Sequence, residues 1–305
     1  MKGKQILAAV AVVVVIGVVL LVSNAKNLSG NSGGKIQVVA AENFWGSLVS
    51  QIGGKDVNVT SIVSDPNADP HEYESNAADA RDMATANYVI LNGVGYDDWA
   101  NKLLSASPSS SRKVLTVANL VGKKEGDNPH LWYNPAYVNV AVVQMEKDLA
   151  AIKPGDAGYF ESQLHTLQGS LAQYQNRITS IKKQYGGTQV AATEDIFAYL
   201  ANAAGLNLVS PPEFTEAVAE GNDPPASSVA TFQQQLQSGQ VKVLVYNEQT
   251  VTPLTTSIKQ LAAQQDIPIV GVTETIQPPD TSFQVWMNAE LLDLENALNA
   301  QALGQ

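Results

Sequence analysis

The sequence predicts an α/β protein of two lobes, each with a parallel sheet flanked by helices, joined by one long rigid helix. Two observations carry this prediction. In both halves of the chain, short apolar segments typical of strands alternate with amphipathic segments typical of helices. Between the halves, about 30 residues run without proline and carry apolar side chains at helical spacing. Strands that alternate with helices are joined by crossovers, which place helices on both faces of a parallel sheet.

Composition bounds the class of protein. Of the 305 residues, 45% are hydrophobic and 15% are charged, which is enough apolar material for a folded core. The net charge of -11 argues against a nucleic-acid-binding protein, which needs a basic surface, and suits a protein that handles cations. The chain has no cysteine, which excludes disulfides, thiolate metal ligands and a cysteine nucleophile.

Residues 1–34 are predicted to form a membrane anchor or signal segment followed by a flexible tether. Lys2 and Lys4 precede an apolar run over 6–22. That run lies near the lower limit of a membrane span, about 17–25 residues, and exceeds the roughly 7–15 of a signal h-region. Small residues at 23–25 fit a cleavage site, but we favour an uncleaved anchor, which places the rest of the chain outside the cytoplasmic membrane. Without cysteine, lipid attachment of the bacterial lipoprotein kind is excluded.

The first lobe is predicted over 35–153. Its apolar runs are predicted as strands at 35–41, 57–63 and 88–93. Its helices are predicted at 43–54, 75–86 and 97–104. Gly54 closes the first of these helices, and Ser75 is the predicted N-cap of the second. A further helix is predicted after His130.

The linking helix is predicted over 154–186, where the periodic run covers 156–185 and Gly187 follows as a stop. At 1.5 Å per residue such a helix is about 45 Å long, enough to pass from one lobe to the other. The second lobe is predicted over 187–305. Its strands are predicted at 188–192, 241–247 and 268–274. Its helices are predicted at 194–205 (with Thr193 as N-cap), 225–239, 252–265 and 281–303.

Ligands of open α/β sheets bind beyond the carboxyl ends of the strands. The imidazoles and carboxylates expected at those ends belong to His71, His130, Glu194, Asp195, Glu248 and Glu274. Two imidazoles with two carboxylates suit a first-row divalent cation. Ordinary explanations also exist: His71 as a plain loop residue, and Glu194 and Asp195 as acids that a helix dipole favours. His165, on the long helix, is expected to be solvated or packed and to have no role.

Four segments carry a resemblance to a known family. The segments are "DPHEYESNAADARDMATANYVILNGVGYDDW", "NPHLWYNPAYV", "TEDIFAYLANAAGL" and "GVTETI". They resemble the ligand-bearing segments of the solute-binding proteins of metal-ion ABC importers, the zinc and manganese group. The resemblance covers roughly 35–303, and the order and spacing of the segments make it specific.

This resemblance implies the two-lobed fold with a stiff helical linker. It also implies one divalent ion in the cleft, held by His71 and His130 from the first lobe and by Glu194 and Glu274 from the second. It implies an extracytoplasmic protein, expected to be a monomer, that delivers the ion to a membrane permease powered by a cytoplasmic ATPase. A proline before each histidine restricts its loop, so that less entropy is lost on binding.

The identity of the metal is open between Mn²⁺ and Zn²⁺, with Fe²⁺ third. Family members with an acid as third ligand, here Glu194, are often assigned to manganese or iron, and this chain lacks the His-rich loop of many zinc members. Two bidentate carboxylates would bring the donors to six, which suits Mn²⁺. Affinity for a given site nevertheless rises toward Zn²⁺. Glu274 occupies a position where the family commonly has aspartate, and Asp195 is an alternative ligand to its neighbour Glu194. The family's relation between ligand type and metal therefore applies less directly to this chain.

Other classes of function are less well supported. A metal-dependent hydrolase needs an open coordination position and a base, for which Glu72, Asp195 or Glu248 could serve, but the sequence has no HExxH motif and no phosphate-binding loop. A surface adhesin with a structural metal is compatible with the anchor. A binder of organic solutes would need a cleft lined by aromatic residues and arginine. We therefore expect a transport protein and no enzyme, with small lobe motions and proton-linked metal binding.

Overall fold

The computed structural model describes residues 34–67 and 69–303. The predicted N-terminal anchor over 6–22 lies outside these residues. The chain divides into two units, Met1–Lys35 and Ile36–Gln305, and the strands and helices of the described residues lie in the second. Among the residues that the structure describes, no helix has both the length and the apolar character that a membrane crossing requires.

Two four-stranded sheets, both parallel throughout, form the centres of the lobes. The first has the order β2-β1-β3-β4 and the second the order β6-β5-β7-β8, so the two share one topology. The strands are β1 (Ile36–Glu42), β2 (Val57–Val63), β3 (Tyr88–Leu91), β4 (Lys113–Thr116), β5 (Gln189–Ala192), β6 (Asn207–Leu208), β7 (Val243–Asn247) and β8 (Ile269–Val272). This architecture confirms the predicted α/β class.

The helices flank both sheets and connect them. In the first lobe they are α1 (Asn43–Gly53), α2 (Ala77–Thr85), α3 (Asp98–Ala106), α4 (Val117–Leu120) and α5 (Pro135–Ile152). The long helix is α6 (Ala157–Tyr185). The second lobe holds α7 (Ala198–Ala203), α8 (Pro212–Ala219), α9 (Ala226–Gln237), α10 (Pro253–Gln264) and α11 (Phe283–Leu303).

The long helix α6 has 29 residues and is therefore about 44 Å long. It packs against α1 and α5 on the first lobe and against α11 on the second. Its buried side chains, which belong to a single hydrophobic core shared by both lobes, are Phe160, Leu164, Leu167, Leu171, Tyr174, Ile178 and Ile181. Arg177 adds a hydrogen bond of 2.9 Å from its Nε to Asn288 and an ion pair with Glu295, both on α11. The lobes are thus joined by a continuous core. The predicted lobe boundaries, at residues 153 and 187, remain a prediction.

Neither of the two predicted helix N-caps is found in the structure. The N-cap of α2 is Asn76 and not Ser75: its side chain accepts a hydrogen bond from the amide of Ala78, and Asp79 accepts one from the amide of Asn76 at 2.7 Å. This reciprocal capping box satisfies two otherwise unpaired amides, which a cap at position 75 would not. The helix predicted to begin at Glu194 with Thr193 as its cap begins only at Ala198, after a 3-10 turn over Asp195–Phe197.

Some short elements of the structure had no counterpart in the prediction. They are the edge strands β4 and β6 and the helices α4 and α8. Strand β6 has only two residues, and Val114 of β4 is 45% exposed, so neither shows the apolar run of a buried strand. Both strands lie at the edges of their sheets, and at four and two residues they are shorter than the predicted edge strand β2, which has seven.

Candidate metal centre

The four predicted ligands come together at the carboxyl ends of the two sheets. Glu194 lies two residues after β5 and Glu274 two residues after β8. His71 lies in a 3-10 turn beyond β2, and His130 directly precedes another, Leu131–Tyr133. One ligand atom from each of the four residues lies within 4.8 Å of all the others. The structure thus assembles the predicted set, and its role as a ligand set stays a prediction.

The separations of these atoms suit a single ion. His71 Nε2 lies 3.2 Å from Glu274 Oε2 and 3.7 Å from Glu194 Oε1. His130 Nε2 lies 3.3 Å from Glu194 Oε1 and 3.7 Å from Glu274 Oε2. Bonds of about 2.0–2.2 Å to a tetrahedral zinc ion place neighbouring donors about 3.3–3.6 Å apart. Each carboxylate makes its closest approach to both imidazoles through the same oxygen, so each offers one donor atom.

Burial makes this arrangement costly unless a ligand completes it. His130, Glu194 and Glu274 are fully buried, and the side chain of His71 is 20% exposed. Nε2 of both histidines and Oε1 of Glu194 have no hydrogen-bond partner. Buried polar atoms are almost always paired in folded proteins. Three unpaired atoms that face one another indicate a place for a cation.

Each histidine is held by its own loop. Asp69 accepts a hydrogen bond of 2.9 Å from the backbone amide of His71, and Asn128 accepts one of 2.8 Å from that of His130. The other ring nitrogen of His130, Nδ1, lies 3.0 Å from Asn128 Oδ1 and 3.1 Å from Asp195 Oδ1. A carboxylate at Nδ1 favours the tautomer whose Nε2 lone pair is free for a metal. Asp195, the rival ligand, therefore contacts the ring edge opposite to the four donors.

Glu194 is not in the first turn of a helix, contrary to the prediction. Its backbone is extended, with φ -149° and ψ 168°, and it stands directly before the 3-10 turn. The hydroxyl of Thr193, the predicted cap, instead accepts a hydrogen bond of 3.3 Å from the backbone amide of Asn247. The explanation of this acid by a helix dipole therefore does not hold.

Two residues of the centre were not predicted. Asn247, the last residue of β7, donates from Nδ2 to Glu194 Oε2 at 2.6 Å and to Glu274 Oε1 at 2.8 Å. Tyr96 of the first lobe donates its hydroxyl to Glu274 Oε2 at 2.7 Å. The position of Asn247 at the carboxyl end of a strand was a signal for it. An amide side chain is not a typical ligand of transition metals. A prediction built on imidazoles and carboxylates therefore does not include Asn247.

The remaining candidates lie outside the set of four. Glu72, Glu248 and His165 are exposed, and the side chain of Glu248 lies against Gly271 of β8. A cavity of about 670 Å³ opens beside the centre and is lined by His71 and Glu72 among other residues. His71, the ligand that is partly exposed, is thus the side chain of the four that solvent reaches through this cavity.

The carboxylates of the centre favour protonated histidines. Burial disfavours the imidazolium of His71, but the carboxylates of Glu274 and Glu194 outweigh it and raise the pKa of His71 to about 10. In His130, Asp195 and the two glutamates likewise overcome burial and raise the pKa well above its ordinary value. Burial disfavours the charged form of Glu274, yet the two imidazolium groups hold the pKa of Glu274 well below its usual range. A bound cation must therefore replace protons on both histidines.

The known proteins that are similar to this chain are described as proteins of metal uptake. The family model described as "Zinc-uptake complex component A periplasmic" matches residues 38–297. The manganese ABC transporter substrate-binding lipoprotein PsaA of Streptococcus mitis is 26% identical over 215 residues, which are 64% of this chain and 68% of the relative. The protein of the same name from Streptococcus pneumoniae serotype 4 is 26% identical over 57% of this chain and 61% of its own length, so the chain spans less than two thirds of that relative.

Solved structures show the same fold. A Mn-bound periplasmic metal binding protein from Candidatus Liberibacter asiaticus matches with a TM-score of 0.70 at 19% identity. The match covers 87% of this chain and 100% of that structure. Both sheets and the long helix of this chain therefore belong to a fold that is known from a periplasmic protein.

Proposed function

Because this chain belongs to the family of the periplasmic component A of zinc-uptake complexes, we propose that it is an extracytoplasmic solute-binding protein for a divalent transition metal ion, Zn²⁺ or Mn²⁺. It takes the ion in the cleft between its lobes and delivers it to an ABC importer made of a permease and an ATPase. One observation carries the proposal: His71, His130, Glu194 and Glu274 aim four donor atoms at a common point in the protein interior.

The donor set suits a cargo ion. Two neutral imidazoles and two carboxylates together carry a charge of -2, which balances a divalent cation in a buried site. The ion reaches the centre from the cavity beside His71 and displaces the protons of both imidazoles. Asp195 contacts Nδ1 of His130 and keeps the imidazole ring oriented while the proton on Nε2 of that ring leaves.

The neighbouring acids do not favour hydrolysis. A hydrolytic metal site needs a base beside a metal-bound water. Glu72 and Glu248 are exposed, and Asp195 faces Nδ1 of His130. We propose that the protein binds and releases its ion without catalysis, and no observation specifically favours a role as an adhesin.

We also propose that the protein acts as a monomer held at the membrane by its N-terminal segment. The apolar run over 6–22 behind Lys2 and Lys4 supports this anchor. The streptococcal relatives are described as lipoproteins, whereas this chain contains no cysteine to which a lipid could be attached.

Calorimetry on the metal-stripped protein tests the proposed function. Titration with Zn²⁺ and with Mn²⁺ should give one ion per chain, and the double substitution His71→Ala with Glu194→Ala should abolish binding. His165→Ala, on the exposed face of α6, is the matched control and should bind like wild type. If wild-type protein binds neither ion, the proposal fails. Loss of metal uptake on deletion of the gene, with adhesion unchanged, would separate transport from adhesion.

A further inference from the structure

We propose that Asn247 determines the metal specificity of this centre. By holding one oxygen of each carboxylate, it makes Glu194 and Glu274 single donors and so favours four-coordinate Zn²⁺ over Mn²⁺. This proposal rests on the proposed function, since it assumes that the ion binds at the four residues. It adds to that function the basis on which the site distinguishes two competing ions.

The orientation of the Asn247 amide is fixed by its surroundings. Asn247 is 1% exposed and ends the central strand β7. Its Oδ1 accepts a hydrogen bond of 3.0 Å from the backbone amide of Gln249, so the NH₂ end must face the acids. The two hydrogens of that NH₂ group face the two carboxylates, Glu194 at 2.6 Å and Glu274 at 2.8 Å, and Nδ2 also lies 3.0 Å from the hydroxyl of Thr250.

The hydrogen bonds from Asn247 divide the four carboxylate oxygens into two pairs, and Oε2 of Glu274 also accepts from the hydroxyl of Tyr96. Oε1 of Glu194 and Oε2 of Glu274 make the closest approaches to the imidazoles. The other two oxygens accept from Asn247, and Oε1 of Glu274 also lies 3.3 Å from the hydroxyl of Thr250. To chelate an ion through both oxygens, either glutamate would have to turn a second oxygen away from the amide. That movement breaks a charge-assisted hydrogen bond to Asn247, whose side chain is buried.

The number of donors then decides between the metals. Two imidazole nitrogens and two single carboxylate oxygens make four, the number that zinc takes with tetrahedral geometry. Manganese favours oxygen donors and a coordination number of six. Six donors for Mn²⁺ at these residues require both carboxylates to bind through two oxygens, and Asn247 opposes that mode at each of them. The same amide contacts both glutamates. One side chain therefore controls whether each of the two second-lobe ligands binds through one oxygen or through two.

Competition with a chromophoric chelator tests this role in the full-length protein. Wild type should bind Zn²⁺ more tightly than Mn²⁺. In Asn247→Ala, Zn²⁺ affinity should fall about 10- to 100-fold, the usual effect of removing a residue that orients metal ligands. The Mn²⁺ affinity should hold or rise, so that the preference for zinc shrinks at least about tenfold. Asn202→Ala is the matched control: it makes the same substitution at an exposed position of α7 that does not contact the carboxylates, and the preference should persist.

A second variant and a spectroscopic readout keep the test decisive. Asn247→Ser retains a polar residue at this position but is too short to reach both carboxylates, and it should behave like Asn247→Ala. X-ray absorption of the zinc-loaded protein should show four light-atom donors in wild type and more in the variants. An equal loss of affinity for both ions would indicate a purely structural residue and overturn the proposal. So would a wild-type preference for Mn²⁺, whereas failure to bind either ion would overturn the proposed function itself.

Discussion

The buried charges of His71, His130, Glu194 and Glu274 compensate one another in two different ways. Without metal, each imidazole is protonated and faces a carboxylate across 3.2–3.3 Å. With metal, the imidazoles are neutral and the cation takes the place of both protons. The same four side chains are therefore an ion-pair cluster in one state and a ligand set in the other, and pH selects between them.

The stability of the metal-free protein should fall at alkaline pH. The pKa of His71 is raised to about 10 from an ordinary 6.5, so its stabilising effect is complete below pH 6.5 and is lost as the pH rises through 10. The pKa of Glu274 is lowered, so its stabilising effect is present above pH 4.5 and is lost as the pH falls. Thermal unfolding of the stripped protein should show a melting temperature about 5 °C or more lower at pH 10 than at pH 6.5.

The control for this pH dependence is His71→Ala, in which the alkaline loss should be smaller. Metal-loaded protein should behave in the opposite sense, because metal affinity rises as protons leave the imidazoles. A melting temperature of the stripped wild type that stays level between pH 6.5 and pH 10 would contradict the assignment of protonated histidines.

At the scale of elements, the two histidine loops share one construction. In each, an Asx side chain two residues before the histidine accepts a hydrogen bond from the histidine's own amide, at 2.9 Å from Asp69 and 2.8 Å from Asn128. The proline between them fixes one backbone dihedral. Both devices act on the free protein, so the loops need little further ordering when an ion binds.

Gly169→Ala should stabilise helix α6. Gly169 is exposed in the helix interior, and an added Cβ would meet nothing within 4 Å. Alanine loses less conformational entropy than glycine in a helix, so we expect a gain of about 0.5–1 kcal/mol in the free energy of unfolding. Chemical denaturation measures this gain, and metal affinity should remain unchanged. A loss of metal affinity would instead show that the glycine lets the helix bend during binding.

The matched control is Gly93→Ala, which should destabilise the protein. Gly93 has φ +84°, a conformation that favours glycine, and an added Cβ would lie 2.8 Å from the side chains of Thr116 and Ala118. The opposite signs at the two glycines would show that backbone conformation and available space, and not the change of residue type, set the outcome.

At the scale of the whole molecule, contacts besides α6 hold the lobes together. Tyr133, next to the His130 loop, places its hydroxyl 2.9 Å from Thr273 O and 2.8 Å from Glu290 of α11, and these two acceptors share its single hydrogen. Burial raises the pKa of Glu290 to about 8, so this carboxyl is mostly neutral at pH 7 and brings no charge into the interface. Opening the cleft widely would break these bonds and expose the shared core.

Metal binding should therefore change the overall shape little. We expect Cα movements of about 1 Å or less around the cleft, as in other preorganised complexes. Small-angle scattering of the stripped and the zinc-loaded protein should give nearly the same radius of gyration. Glu290→Ala, which removes the acceptor of Tyr133, should enlarge the difference between the two states. A large compaction of wild type on metal binding would rule out the stiff linkage of the lobes.

Sequence alone determined six of the eight strands and the long helix, because both depend on local patterns. The strand over 57–63 coincides with β2, and the periodic run over 156–185 differs from α6 by one residue at its start. Such patterns record which side chains are buried along one element. The edge strands β4 and β6 escaped because they are short and few of their residues are buried. The cap at Ser75 was misplaced because Asn76 caps that helix instead, and the cap at Thr193 because α7 begins only at Ala198.

For the candidate centre, sequence supplied the four side chains through the resemblance of their segments, and only the tertiary structure decided how they are used. It placed Asp195 behind His130, brought Tyr96 across the cleft, and set Asn247 between two acids that lie 53 and 27 residues away from it. A local pattern identifies residue types, but the oxygen that a carboxylate turns to an ion depends on hydrogen bonds between strands that meet only when the chain is folded.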